Sequence, residues 1–503
     1  VKTGAGTMVL NGANDYTGST RIDSGTLELG AGGTVGSLST ASAITGSAGG
    51  TLVFNRSDTI GSGTAFFNTI AGGLNVVQRG SGTTVLSGSN TYTGTTSVNA
   101  GTLQIGAGST AGSIAASAAI TGSTGGTLAF SRSDDYGGSY SMPITGGLGL
   151  TQAGSGTLFL TGANTYTGNT AVTAGILAIS STTALPGWDT PGRISVSAGA
   201  ALLVGDAVSD TDFNTIRTTG SFAANAAIGF NTTGSRTYAG AGIANTVNGA
   251  LGLVKIGTGT LTMNATNTYT GTTSVRGGTL RLETALALPS TTPIVLQDSG
   301  ALELRENSTT SGAVTMSGSA SSIFGPGSLT AASYTVNNTS GTASASAVLA
   351  GAGGLTKSNA GTLSLTAANA YQGKTTVSGG TLEFNSIANS GTGNFSALGA
   401  PAAGGNSTID LGSGTNAATL RYTGSGHTSN RVINLAGSIG PVTLDASGSG
   451  ALELTAANTA AASTKTFTLT GTSTAANSIG VIAGTGVSVN KTGSGLWRLT
   501  GAS

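Results

Sequence analysis

Few residues in this chain could do chemistry. Its 503 residues include one histidine, no cysteine, and only 19 basic and 18 acidic side chains. Any serine–histidine–aspartate machinery must therefore use His427, in Gly426-His427-Thr428. No serine sits in the strand-to-helix Gly-x-Ser-x-Gly setting that a nucleophile of that kind requires, so His427 reads as a solvated loop residue. Carboxylates cluster locally at Asp134-Asp135 and at Asp206, Asp210 and Asp212. Such groups act as acid and base when ~5 to 9.5 Å apart, or hold calcium through hard oxygen ligands. However, Asp58 in Phe54-Asn55-Arg56-Ser57-Asp58 returns as Asp134 in Phe130-Ser131-Arg132-Ser133-Asp134. A catalytic acid has no need of duplication in structural register, so both read as turn carboxylates beside Arg56 and Arg132. The Asp206 to Asp212 segment matches neither the EF-hand loop nor the glycine-rich calcium nonapeptide. No metal, cofactor or catalytic residue is assigned.

The elements that carry these residues are repeats. Five times a glycine, a short apolar strand, an Asn-x-Tyr-x-Gly turn and a second strand recur in the same order. The turns centre on Tyr16, Tyr92, Tyr166, Tyr269 and Tyr371, with glycines at Gly18, Gly94, Gly168, Gly271 and Gly373. Their fixed place favours a structural role for the tyrosines over sugar stacking, with the ring over the coil edge and its hydroxyl bonded to backbone. The long period is uneven, but one interval is constant. Thr7 to Thr26, Thr83 to Thr102, Thr157 to Ile176, Thr260 to Thr279 and Thr362 to Thr381 each span 19 residues. A fixed lag between like strands with variable insertions elsewhere means that the chain returns to the same side once per turn of a coil.

Within the strands, Leu27-Glu28-Leu29, Leu103-Gln104-Ile105, Leu280-Arg281-Leu282 and Leu382-Glu383-Phe384 keep the outer pair apolar while the middle residue varies. Period two places the outer pair inside and the middle one in solvent. After each tyrosine turn, Thr20 and Ile22, Thr96 and Val98, Thr170 and Val172, Thr273 and Val275, and Thr375 and Val377 share a second inward face. Further Gly-Thr-Leu strands follow at Gly50 and Gly126. The expected fold is all-β, a right-handed parallel β-helix (β-solenoid). At ~4.8 Å per layer it would form an elongated rod of roughly 20–25 coils, about 100 to 120 Å long. A meander would reverse every 8 to 12 residues, and a propeller needs blades of about 40 to 45. Helix should be nearly absent, and glycines are expected where corners require positive φ. Asn359 stands at one such glycine position, as the residue type next most tolerant of that conformation.

The order Gly-x-Gly-Thr-Leu, Asn-Thr-Tyr-Thr-Gly, Thr-x-Val and Gly-Gly-Thr-Leu resembles the passenger-associated transport repeat, or autotransporter-associated β-strand repeat. The resemblance covers residues 1–29, 74–105, 148–179, 251–282 and 355–384, and a sixth copy opens at Val489-Asn490-Lys491-Thr492-Gly493. It implies a bacterial cell-surface or secreted autotransporter passenger, exported by a C-terminal membrane barrel outside this sequence. Repeats of that family are associated with transport and folding of the passenger rather than with catalysis. Thr84 and Trp497, where other copies place leucine, imply local repacking. The expected organisation is one continuous β-helix over 1–503, in units of about 1–73, 74–147, 148–250, 251–353 and 354–485 with a partial unit at 486–503. Lys2-Thr3-Gly4-Ala5-Gly6 matches Lys491-Thr492-Gly493-Ser494-Gly495, so the chain reads as an excised window on a longer array.

Composition narrows function further. A net charge of +1 leaves no electrostatic footprint for nucleic acid or an anionic membrane surface. No run of about 20 apolar residues supports direct membrane insertion. The least repetitive stretches, about 180–248 with Trp188, Phe213, Phe222 and Phe230, and about 385–416, read as insertions suited to partner contact. Trp188, Asp206, Asp210 and Asp212 form the candidate contact loop. The reading is a non-enzymatic extracellular rod, structural or adhesive, with surface glycans, proteins or other copies of itself as partners. A self-associating fibre subunit and a polysaccharide-acting β-helix enzyme are the alternatives. Sparse charge predicts stability that changes little between pH 5 and 9.

Overall fold

A computed structural model describes the chain except for residues 61–65, 67, 115–118, 138–142, 306–308, 438, 461–463 and 502–503. The end of the expected sixth copy, at Ser503, therefore lies outside the described residues. The molecule divides into two compact units, one of Val1–Asn231 with Thr246–Leu251 and one of Thr232–Asn245 with Gly252–Ser503.

In both units the chain winds as a parallel β-solenoid. All five pairs predicted from the constant lag are in register: Thr7 with Thr26, Thr83 with Thr102, Thr157 with Ile176, Thr260 with Thr279, and Thr362 with Thr381. Every strand-to-strand ladder described is parallel, as a coil requires, because successive strands on one side run the same way. The second inward face is formed by the strands after each tyrosine turn. Thr170–Val172 pairs with Ile194–Val196, and Thr375–Val377 with Ile409–Leu411.

The period-two pattern sorts the side chains as expected at Leu280-Arg281-Leu282 and Leu382-Glu383-Phe384 of the second unit, whereas in the first the middle residues Glu28 and Ala178 of Leu27-Glu28-Leu29 and Leu177-Ala178-Ile179 are buried as well. Leu280, Leu282, Leu363, Leu365, Leu382 and Phe384 are buried, and each adds about 1.5 to 3 kcal/mol of hydrophobic stabilisation. The outward middle positions of the second unit instead carry ion pairs between coils, Arg281 with Glu303 at 2.8 Å and Arg421 with Asp445 at 2.9 Å.

Residues 180–248 are more regular than expected. They contribute the coil strands Ile194–Val196, Ala201–Gly205, Ala226–Asn231 and Ser235–Tyr238. The irregular feature is a helix, α1, over Asp210–Thr219. Ser209 caps it by accepting a hydrogen bond from the Asp212 N–H at 3.1 Å. Phe213 and Ile216 face inward, and Phe213 stacks on Phe230 with centroids 4.5 Å apart. Residues 385–416 form a longer excursion with one short strand, Ile409–Leu411. Buried Arg431 holds it at two points, donating from Nη1 to the Leu398 carbonyl (2.6 Å) and from Nε to that of Ser407 (2.9 Å). No helix among the described residues is long and apolar enough to cross a membrane.

Candidate functional site

The recurring turn is the most elaborated feature of the chain, and its asparagine is the central residue. Asn267 is buried. Its Oδ1 accepts the Ile243 N–H of the preceding coil at 2.7 Å, and its Nδ2 donates to the Ala287 carbonyl of the following coil at 2.7 Å. The same bonds are made by Asn164 to Ile144 and Ala184, and by Asn369 to Leu349 and Ala397. Asn90 receives the Ile70 N–H and donates to the Ser113 carbonyl. One amide thus satisfies a donor below and an acceptor above, where the corner breaks the sheet ladder and would leave both unpaired.

Two residues on, the tyrosine ring turns inward. Tyr92, Tyr166, Tyr269 and Tyr371 are fully buried, while Tyr16 is 42% exposed. Each hydroxyl bonds the threonine hydroxyl four residues later: Tyr16 with Thr20, Tyr92 with Thr96, Tyr166 with Thr170, Tyr269 with Thr273, and Tyr371 with Thr375, at 2.6 to 2.8 Å. The expected partner was backbone, so the hydroxyl contact differs. The physical reason is the inward strand itself, whose first buried position is a threonine needing a polar partner. Burial pushes the Tyr166 and Tyr371 hydroxyls up to about 12.

The turn glycines answer to close approach rather than to φ. A Cβ on Gly94, Gly168 or Gly373 would lie 2.2 to 2.3 Å from backbone of the preceding coil, whereas one on Gly18 would meet nothing within 4 Å. Positive φ belongs instead to the corner glycines before the second like strand, such as Gly101, Gly278 and Gly380.

A family model matches residues 1–29, 76–105, 150–179, 253–282 and 355–384, the segments built around these turns; it is the passenger-associated-transport-repeat. Five segments of the chain match the passenger-associated-transport-repeat. Along 99% of its length it is 32% identical to the adhesin BmaC autotransporter of Brucella suis biovar 1 (strain 1330). It spans 16% of the length of that relative. No solved structure matches the chain.

A second position in the transport repeat is equally systematic. Lys2, Lys255, Lys357 and Lys491 each donate to the carbonyls of the next two residues. In each case the second of those residues has positive φ: Gly4, Gly257, Asn359 and Gly493. The other two copies carry Gln78 and Gln152, which donate to carbonyls two and four residues on, Gly80 with Gly82 and Gly154 with Gly156. There the corner residue is not left-handed. Lysine and a left-handed corner therefore occur together, because that conformation turns two successive carbonyls toward one ammonium. Asn359 holds the predicted φ, at 58°. Lys357 is fully buried, and desolvation brings its ammonium down to about 8. Thr84 repacks as a polar pair, donating to Gln78 Oε1 at 2.7 Å, and Trp497 donates from its indole to the Thr470 carbonyl.

The chemical candidates are drawn apart. Arg56 binds Asp58 through both oxygens, at 2.8 and 2.6 Å, and Arg132 binds Asp134 in the same way. Each guanidinium also donates to two turn carbonyls, and its hydrogen bonds to the partner carboxyl, aided by its charge, hold that carboxyl below the usual range. Asp210 and Asp212 occupy the first turn of α1, where carboxylates complement the helix dipole, and Asp206 is exposed in the turn before it. Sequence reading placed these two aspartates in a contact loop. The Ser209 cap and the inward Phe213 and Ile216 make that segment a helix instead. Trp188 is half-buried, and its carbonyl accepts from Thr219 Oγ1 at 2.9 Å. Among the described residues no three His, Asp or Glu side chains gather as metal ligands. His427 opens a strand, His427–Ser429, rather than lying in a loop, and its Nδ1 is 2.8 Å from the Tyr422 hydroxyl.

Proposed function

We propose that this chain is a surface-exposed segment of a larger bacterial autotransporter, in which it serves as an adhesive and spacing element and carries out no catalysis. The observation that carries this reading is its similarity to an autotransporter adhesin along almost the whole chain. The construction supports it. Coils are fastened by parallel ladders and, at the repeat turns, by buried asparagines, so stability accumulates coil by coil without disulfides. That suits a chain that crosses a membrane unfolded and then folds outside, with a C-terminal barrel elsewhere in the full protein as its anchor. Of the clustered acids, Asp134 and its counterpart Asp58 are engaged by arginines, and Asp210 and Asp212 by a helix terminus, which argues against their serving polysaccharide cleavage.

Beads coated with the chain and placed on epithelial cells and on extracellular matrix test the proposal. Retention several-fold above albumin-coated beads is expected, with no release of sugar or peptide from the surface. Retention equal to albumin on every surface refutes the adhesive role, and catalytic release refutes the non-enzymatic one.

A further inference from the structure

One groove in the second unit has the form of a binding site. It encloses about 580 Å³, within the ~300 to 1,000 Å³ of small-molecule sites. Its walls come from four successive coils. Thr342, Thr362, Thr381 and Thr419 are stacked in register on an outward column. Thr339, Asn359 and Asn416 each stand three residues before a member of that column. The groove thus lies between a line of hydroxyls, from Thr381 and Thr419, and a line of corner amides and hydroxyls, with Gly380 and Ala417 between them. No lining residue is charged or aromatic. The cations nearest the lining are engaged: buried Lys357 donates to the Ser358 and Asn359 carbonyls, and Arg421, two residues beyond Thr419 on the outward face, pairs with Asp445 and Glu383.

This lining decides the class of ligand. Anionic glycans, nucleic acids and phosphate meet no cation in the lining, and the neighbouring Arg421 is already paired with carboxylates. A β-strand peptide needs an open sheet edge, and here the flanking strands are already paired on both sides. What remains exposed is a row of hydroxyl and amide groups repeated once per coil, ~4.8 Å apart, close to the length of one sugar ring. We propose that this groove binds a neutral oligosaccharide laid along the coil direction, with the Thr381 and Thr419 hydroxyls and the Asn416 amide bonding successive sugars. This deepens the adhesive reading above and rests on it. Without an aromatic platform each site is weak, and attachment would come from many copies acting together.

The test is saturation-transfer NMR of the whole chain with neutral gluco-, manno- and galacto-hexasaccharides, alongside a sialylated and a sulfated oligosaccharide. At least one neutral hexasaccharide should bind, and the charged ones should not. Thr381→Val with Thr419→Val keeps branched strand residues but removes both hydroxyls, and should weaken binding at least tenfold. Ala417→Trp, at an exposed position, should abolish it. Thr443→Val, on the same column outside the groove, should leave binding unchanged. Absence of neutral-sugar binding, binding of charged sugars alone, or binding indifferent to the groove variants overturns the proposal. Bead adhesion that survives Ala417→Trp also overturns the groove as the adhesive contact while leaving the adhesive reading intact. Sugar binding without bead adhesion sinks that reading and leaves the groove standing.

Discussion

Replacing Asn267 by alanine should open the two coils that it joins. The substitution leaves the Ile243 N–H and the Ala287 carbonyl without their partner, in a position buried from water. An unsatisfied buried polar group costs about 1 to 3 kcal/mol, so the two together cost roughly 2 to 6 kcal/mol. Because solenoid stability is close to a nearest-neighbour sum, the loss is local, and a global melting curve would blur it. Hydrogen exchange read by mass spectrometry on peptides covering residues 243–253 and 265–290 is the appropriate assay. Exchange there should accelerate about 30-fold or more, taking ~1.4 kcal/mol per factor of ten. Asn267→Asp supplies a control with a sign. A carboxylate still accepts from Ile243 but cannot donate to Ala287, and its burial raises its pKa above the unfolded value. Protection in that variant is therefore restored as pH falls and lost as pH rises, whereas the alanine variant stays open at both. Protection at Ile243 within threefold of the parent in the alanine variant would refute the reasoning.

Three further outcomes follow from the same geometry. Tyr269→Phe strands the buried Thr273 hydroxyl and should cost about 1 to 3 kcal/mol, while adding Thr273→Val should recover much of the loss; a double-mutant cycle with no coupling contradicts the bond. Gly94→Ala drives a Cβ into the Leu74 carbonyl and should destabilise by about 1 to 3 kcal/mol, whereas Gly18→Ala should lie within about 0.5 kcal/mol of the parent; equal effects in denaturant titrations would remove the close-approach argument. For pH, Lys357 is depressed from its ordinary 10.5 to about 8. The unfolded chain therefore holds the extra proton between those values, and stability should rise from pH 8 toward 10, by about 3 kcal/mol at most. Above pH 10 it should fall, because Tyr166 and Tyr371 keep their protons to about 12 only when folded. Burial also lowers the Lys465 ammonium, so Lys357→Gln should reduce the rise and the double variant with Lys465→Gln should abolish it; a rise unchanged in Lys357→Gln would contradict the assignment.

That last behaviour departs from the flat profile which sparse charge alone predicts between pH 5 and 9, and it shows what a sequence can and cannot display. The winding was legible because solenoid contacts are one coil apart. The lag between Thr260 and Thr279 is the register itself, and Leu280 and Leu282 reveal their inward face by alternation. The corner chemistry was not. An asparagine before a tyrosine reads as a turn residue, and nothing local indicates that Asn267 serves an N–H one coil earlier. Lys357 looks like an ordinary surface lysine until its left-handed neighbour Asn359 is seen to aim two carbonyls at it. Helix α1 did carry a signal, Ser209 followed by Asp210 and Asp212. It was hidden by Thr211, Thr215, Thr218 and Thr219, which are poor helix formers.

The asparagine and the tyrosine are separable devices, as the C-terminal coils demonstrate. In Ala475-Ala476-Asn477 no tyrosine follows, yet Asn477 Oδ1 accepts the Leu452 N–H at 2.9 Å and Nδ2 donates to the Leu496 carbonyl at 2.9 Å. The asparagine bridge thus forms without the ring, here from the first residue of a strand, Asn477–Ile479. Asn458, in Ala456-Ala457-Asn458, also lacks the tyrosine, but its side chain makes no bridge. Alanine stands at the tyrosine place, Ala460, and both side-chain amide atoms of Asn458 are buried without a partner. A polar residue kept at full burial with nothing to bond weakens its own coil, by the same arithmetic that makes Asn267 strengthen its neighbours. Asn458→Ala should then be neutral or stabilising where Asn477→Ala is costly. A loss of protection at Asn458→Ala matching that at Asn477→Ala would show that the two asparagines do the same work after all.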